Sequence, residues 1–185
     1  MFKSLKLIAL LSLSISAATQ ASSLTLSSND IAQGEFMSKT QEFDGFGCNG
    51  DDLSPHLKWS NAPKGTKSFA ITAYDPDAPT GSGWWHWQIV NIPANVSELA
   101  TGAGSTTKNL APKGSFQVAN DYGSKGFGGA CPPAGHGVHR YRFTVYALSV
   151  EKLDLPKGAS GALAGFMINT NTIESSTIES LYKRK

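Results

Sequence analysis

The chain has 185 residues, is 40% hydrophobic and only 16% charged, and carries 16 basic against 14 acidic residues. That length suits one domain with a sizeable core. The near balance of charge supplies no basic face for a nucleic-acid partner, and 19 glycines with nine prolines argue for short strands and turns rather than long helices.

Met1 to Lys6 carries two lysines and no acid. Leu7 to Ile15 is apolar except for serines, and Ala17-Ala-Thr-Gln-Ala21 supplies small residues. This is the pattern of a secretory signal peptide covering residues 1–21, too short to span a bilayer as a helix. The expected mature domain is 22–185, periplasmic or secreted, with no stable membrane insertion. The loss of Lys3 and Lys6 leaves 14 residues of each sign. An oxidising compartment makes a Cys48–Cys131 disulfide the default, with two buried free thiols as the alternative. Such a link stabilises by roughly 2–4 kcal/mol.

Apolar runs bounded by turn residues predict strands at Leu24–Leu26, Leu57–Trp59, Lys67–Tyr74, Trp85–Ile92 and Val138–Val150. Residues 99–130 are Gly-rich and weakly patterned, and a loop that long usually covers something. Gly158–Met167 and Thr172–Tyr182 contain helix formers, and Lys183 to Lys185 suits a helix C-terminus. The predicted architecture is a mainly antiparallel β domain with short C-terminal helices.

Two short stretches concentrate the rare residues. One runs from Asp75-Pro-Asp-Ala-Pro79 to Trp84-Trp85-His86-Trp87; the other is Cys131-Pro-Pro-Ala-Gly-His-Gly-Val-His-Arg-Tyr141. They hold three of the four histidines and three of the four tryptophans. Strand alternation places Trp85, Trp87 and Ile89 on the core face, and Trp84, His86 and Gln88 on the other. It also puts His139, Tyr141 and Phe143 together, with Arg140 and Arg142 opposite. Arg140 is expected to pair with an acid such as Asp77. Asp75 sits in a turn that two prolines make rigid; on its own, that is a turn whose Asp side chains bond their own backbone. Gly126 to Gly129 and Pro132 to Gly135 permit close backbone approach to a ligand. His136 is expected to be a loop residue at the rim rather than a ligand.

The order Asp75-Pro-Asp-Ala-Pro79, Trp-x-His86-Trp, then Gly-Gly-x-Cys-Pro-Pro-x-Gly-x-x-x-His139-Arg-Tyr141 resembles the phosphatidylethanolamine-binding protein (Raf kinase inhibitor-like) family. The likeness is to its bacterial YbhB/YbcL branch and, within it, to exported members; Leu53-Ser-Pro-His-Leu-Lys-Trp59 agrees. The resemblance implies an antiparallel β-sandwich with a small anion-binding pocket. It assigns Asp75, Trp84, His86, Pro133, His139 and Tyr141 to that pocket. Two imidazoles and a phenol suit a phosphate or carboxylate oxygen. No cofactor or metal is implied, the expected ligand is a small anionic or phosphorylated group, and any protein partner lies outside the cytosol. The tail shows no match to the family's pocket-closing residues.

The competing reading is a hydrolase or metal-dependent enzyme. Asp75, His86, His136 and His139 are metal-ligand types, but His-x-x-His on a strand points to opposite faces. A triad with Ser82 or Ser124 as nucleophile lacks a nucleophile elbow. The residues therefore favour binding over catalysis.

Overall fold

The computed structural model describes residues 23–184, so the signal-peptide reading of residues 1–21 lies outside the described residues. In chain order the elements are β1 (Thr25–Ser27), β2 (Asp44–Gly45), β3 (Cys48–Asn49), β4 (Leu57–Ser60), β5 (Ser68–Asp75) and β6 (Trp84–Pro93). They continue with β7 (Glu98–Leu99), β8 (Phe116–Gln117), β9 (His139–Leu148), α1 (Gly161–Asn171) and β10 (Thr172–Tyr182). A five-stranded antiparallel sheet in the order β10-β9-β5-β6-β8 faces a three-stranded sheet, β1-β4-β7. Between them lie Leu57 and Trp59 from the small sheet, and Ile71, Trp87, Ile89 and Phe143 from the large one. A smaller core that includes Val90, Leu148 and Ile168 fills the space between α1 and the opposite face. The fold is the expected mainly β sandwich.

In β9 the alternation works as written. His139, Tyr141, Phe143 and Val145 are buried, and Arg140 and Arg142 lie outside. In β6 it does not. Ala73 opposes Trp87 but Tyr74 opposes Trp85, so His86 is one residue too many on its strand. This β-bulge inverts the faces on its N-terminal side. Trp85 therefore leaves the inter-sheet core to which its spacing from Trp87 assigned it. Its ring lies against Tyr74, with centroids 4.4 Å apart, and against Gly161 and Gly165 of α1.

The C-terminal segment corrects a second expectation. Thr172–Tyr182 is a strand, not a helix. It pairs with the length of β9, from Thr172 opposite Leu148 to Tyr182 opposite His139. Thr172, Ile173, Thr177 and Ile178 are β-branched, and Ile178, Ser180 and Tyr182 form one buried face at period two. Weak helix propensity yields to a ten-residue neighbour that offers an open edge. Among the described residues α1 is the one α-helix, and the Ser160 side chain caps it by accepting from the Leu163 N–H.

The position of Trp85 is testable. A Cβ at Gly161 would come within 2.6 Å of Trp85 Cδ1. Gly161→Ala should lower unfolding free energy by about 1–3 kcal/mol, the usual range for overpacking, as read by urea denaturation. No loss would place Trp85 away from α1.

Candidate functional site

At one end of the large sheet lies a cavity of about 180 Å³. It is smaller than sites that enclose drug-sized ligands, roughly 300–1,000 Å³. All six residues singled out in the sequence line it: Asp75, Trp84, His86, Pro133, His139 and Tyr141. The ends of three neighbouring strands deliver five of them. Asp75 ends β5, Trp84 and His86 begin β6, and His139 and Tyr141 begin β9. Pro133 comes from the loop before β9.

The Asp75 turn serves both of its anticipated roles. Oδ1 accepts from the Asp77 N–H at 2.8 Å, closing the turn. Oδ2 lies 2.7 Å from His139 Nδ1, with both side chains buried. Asp77 in turn holds Arg140 through Nε at 2.9 Å and Nη2 at 2.7 Å, the pairing expected from strand alternation. Hydrogen bonding to Arg140 pulls the Asp77 carboxyl down to about 2. Arg140 is thereby kept outside the cavity.

His86 Nδ1 donates to the Gly128 carbonyl at 2.8 Å. Burial pushes the His86 pKa below its ordinary 6.5, against the opposing pull of that carbonyl and of Asp75. The imidazole is therefore neutral near pH 7, protonated on Nδ1, with a bare Nε2. Its ring meets Tyr141 and Tyr122 edge-on, at 5.1 and 5.6 Å between centroids. Burial, then the Asp75 charge, raises the Tyr141 pKa, so its phenol keeps its proton. Among the described residues two buried groups of the lining lack a hydrogen-bond partner at normal distance, Trp84 Nε1 and the Tyr141 hydroxyl, the latter with the Asp75 carboxylate as its neighbour. Each such group costs about 1–3 kcal/mol when left unpaired.

The sequence did not single out Tyr122, Phe46 or Thr80, which complete the lining. Tyr122 comes from the Gly-rich 99–130 segment, whose length was the one signal that it covers something. Its hydroxyl donates to the Gly129 carbonyl at 3.0 Å and its ring stacks on Phe43 at 4.0 Å. Phe46 is 74% exposed on the turn between β2 and β3. The Cys48–Cys131 disulfide ties that hairpin to the Pro132-Pro133 wall. From the tail, the Arg184 guanidinium reaches the carbonyls of Gly47 at 2.8 Å and Pro132 at 3.4 Å. The tail thus braces the two walls that the disulfide joins.

Two readings of the loops change. Gly128 and Gly129 are small because protein crowds them, not to admit a ligand. Added Cβ atoms would come within 2.5 Å of the Tyr122 ring and of the Gln41 carbonyl respectively. His136 is more than a rim residue, since its Nδ1 lies 2.7 Å from His139 Nε2. Among the described residues no group of three or more His, Cys, Asp and Glu is arranged to hold a metal ion. The Ser124 hydroxyl bonds Asn120 instead of a histidine.

Asp52 accepts from the Gly129 N–H at 2.6 Å and braces the segment behind His86. Burial is the main cause that raises its pKa from 3.8 to about 6. A raised acid binds its proton more tightly folded than unfolded, so stability falls as pH rises between those values. Asn keeps the acceptor and tolerates the left-handed φ of 52°. Asp52→Asn should therefore raise Tm near pH 7, with the gain shrinking towards pH about 4. An equal shift at both pH values would remove Asp52 ionisation as its cause.

A sandwich whose sheet ends converge on an Asp–His pair, a second histidine and a Pro-Pro wall defines a class of small-ligand binding folds. Residues 27–183 match the phosphatidylethanolamine-binding protein family, and the chain belongs to that family. It is 50% identical to UPF0098 protein YbcL of Escherichia coli over 171 residues, spanning 92% of this chain and 93% of that one. It is 46% identical to UPF0098 protein YbhB of the same organism, over 86% of this chain and 99% of that one. The crystal structure of E. coli YbcL superposes with a TM-score of 0.86 at 50% identity, covering 89% of this chain and all of that one. No helix among the described residues is long and apolar enough to cross a membrane.

Proposed function

We propose that this chain is an exported binding protein that holds a small anionic, phosphate-type group in the cavity and catalyses no reaction. The observation that carries the reading is the pair of unpartnered buried donors, Trp84 Nε1 and the Tyr141 hydroxyl. Donors left unsatisfied in a preformed pocket match an oxygen-rich ligand. The small volume fits a headgroup-sized anion better than a whole lipid. The family's own name, a binder of a phospholipid, points to the same chemistry. Export is supported by the signal-like residues 1–21 and by a disulfide that suits an oxidising compartment.

Tryptophan fluorescence during titration with inorganic phosphate tests the reading, because Trp84 lines the cavity. Tyr141→Phe removes an unpaired buried hydroxyl, so the free protein should be as stable or more stable. Phosphate affinity should fall about tenfold. His139→Ala should also weaken binding. Unchanged titrations in both variants would overturn the site.

The His86 shift predicts a direction with pH. Protonation of Nε2 turns an acceptor into a donor, and burial places that event below the ordinary value of 6.5. Sulfate keeps a constant charge in this range, so it reports the protein alone. Its affinity should rise as pH falls below that value, and a flat profile would remove the imidazoles from the site.

A further inference from the structure

The large sheet ends at β8, and among the described residues no strand pairs with its outer side. Val118, just past β8, donates its N–H to the Gln88 carbonyl of β6. Backbone groups alternate sides along an antiparallel strand, so the N–H and C=O of Gln117 point away from β6 into the open edge. Phe116 opposes Val90, whose face packs against Ile168 of α1, so the Phe116 ring lies on the α1 side of the sheet. With Val118 and the Leu155-Pro156 loop it bounds a hollow of about 480 Å³. A second hollow, of about 630 Å³, shares Phe116, Leu155 and Pro156 with the first. The groove they form has no lining residue in common with the strand-end cavity.

The groove is apolar at its floor and basic at its rim. Lys125 Nζ lies 5.1 Å from the centre of the Phe116 ring, and Lys157 lines the same hollow. Among the described residues neither lysine has a carboxylate within salt-bridge distance. No acid lines that hollow; the second has one, Asp154, which pairs with Lys152 at 3.7 Å. A short edge strand beside a lysine resists pairing with other sheets. That defence needs no apolar floor, yet Phe116 is 38% exposed and Leu155 is half-buried.

We propose that this edge docks an extended acidic segment of a partner protein, laid beside β8 with apolar side chains in the groove. The site is independent of the small-ligand reading above. Charge complementarity sets the partner's sign, since unpaired ammonium groups favour carboxylates. The Gln117 N–H and C=O supply the main-chain pairing of strand addition. Alternate side chains of a strand lie about 7 Å apart on one face, which lets residues i and i+2 enter the two hollows that meet at Phe116. A flat anionic bilayer would meet the lysines but leave the hollows and the Gln117 edge unused. β8 is two residues long, so affinity rests on the groove and the lysines more than on the ladder.

The test titrates the capped peptide Glu-Glu-Val-Thr-Val-Glu-Glu into isotope-labelled protein, followed by amide NMR. The Gln117 amide should shift to saturation and exchange its hydrogen more slowly. Lys125→Glu combined with Lys157→Glu should weaken binding about tenfold. Both lysines are exposed, so the urea midpoint and the phosphate titration of the strand-end cavity should stay as they are. A strand presents alternate N–H groups to each neighbour. Methylating one alternate set of peptide nitrogens should therefore abolish binding, and methylating the other should spare it. No Gln117 response, unchanged binding to the charge-reversed variant, or equal effects of the two methylated peptides would overturn the proposal. So would phosphatidylglycerol vesicles that bind through these lysines while the peptide does not.

Discussion

One extra residue in β6 decides what faces the cavity. The bulge at His86 inverts the strand's faces on its N-terminal side, which sends Trp85 to α1. Trp84 and His86 are left to line the cavity with Asp75, His139 and Tyr141. An unbroken ladder would have sent Trp85, not Trp84, towards the inter-sheet side. Bulges bend and twist a strand locally, and this one sits where β6 must reach the loops carrying Gly128 and Tyr122. Gly128 accepts from the bulged residue itself, which satisfies a ring nitrogen that burial would otherwise leave unpaired.

The walls beyond the sheet depend on links rather than on apolar burial. Phe46 and Pro132-Pro133 lie on irregular segments joined by the Cys48–Cys131 disulfide across 83 positions. By chain-entropy reasoning closing a loop of that size stabilises by about 4.5 kcal/mol. Arg184 adds carbonyl contacts to both walls, and Tyr182 anchors the tail through a hydrogen bond to Glu42. These links hold a shallow, partly exposed pocket open in one shape. A pocket built on loops alone would reorder on binding at an entropic cost.

The cavity concentrates features that stability alone disfavours. Two donors lack partners among the described residues, and burial keeps one imidazole neutral below its ordinary titration range. Binding sites are drawn from such locally costly arrangements. The fold offsets them with a dense inter-sheet core of Trp59, Phe69, Trp87 and Phe143. The Asp77–Arg140 pair has a different part. It fixes the turn that carries Asp75 and keeps a permanent cation away from the pocket.

Sequence by itself determined which residues meet. Period-two alternation in β9 put His139 and Tyr141 on one face, and the Asp-Pro turn fixed Asp75 at a strand end. These are local rules, obeyed wherever the chain is regular. Tertiary structure decided the rest. Trp85 moved because a bulge depends on the partner strand's register, which no local pattern encodes. Thr172–Tyr182 became a strand because β9 had a free edge to fill, and propensity is weaker than a full ladder of hydrogen bonds. Tyr122, Phe46 and the Arg184 brace come from segments without periodicity, so only their three-dimensional links place them. His136 is separated from His139 by two residues, a spacing that argues against contact on a strand. It makes that contact because its own position is a loop flanked by glycines.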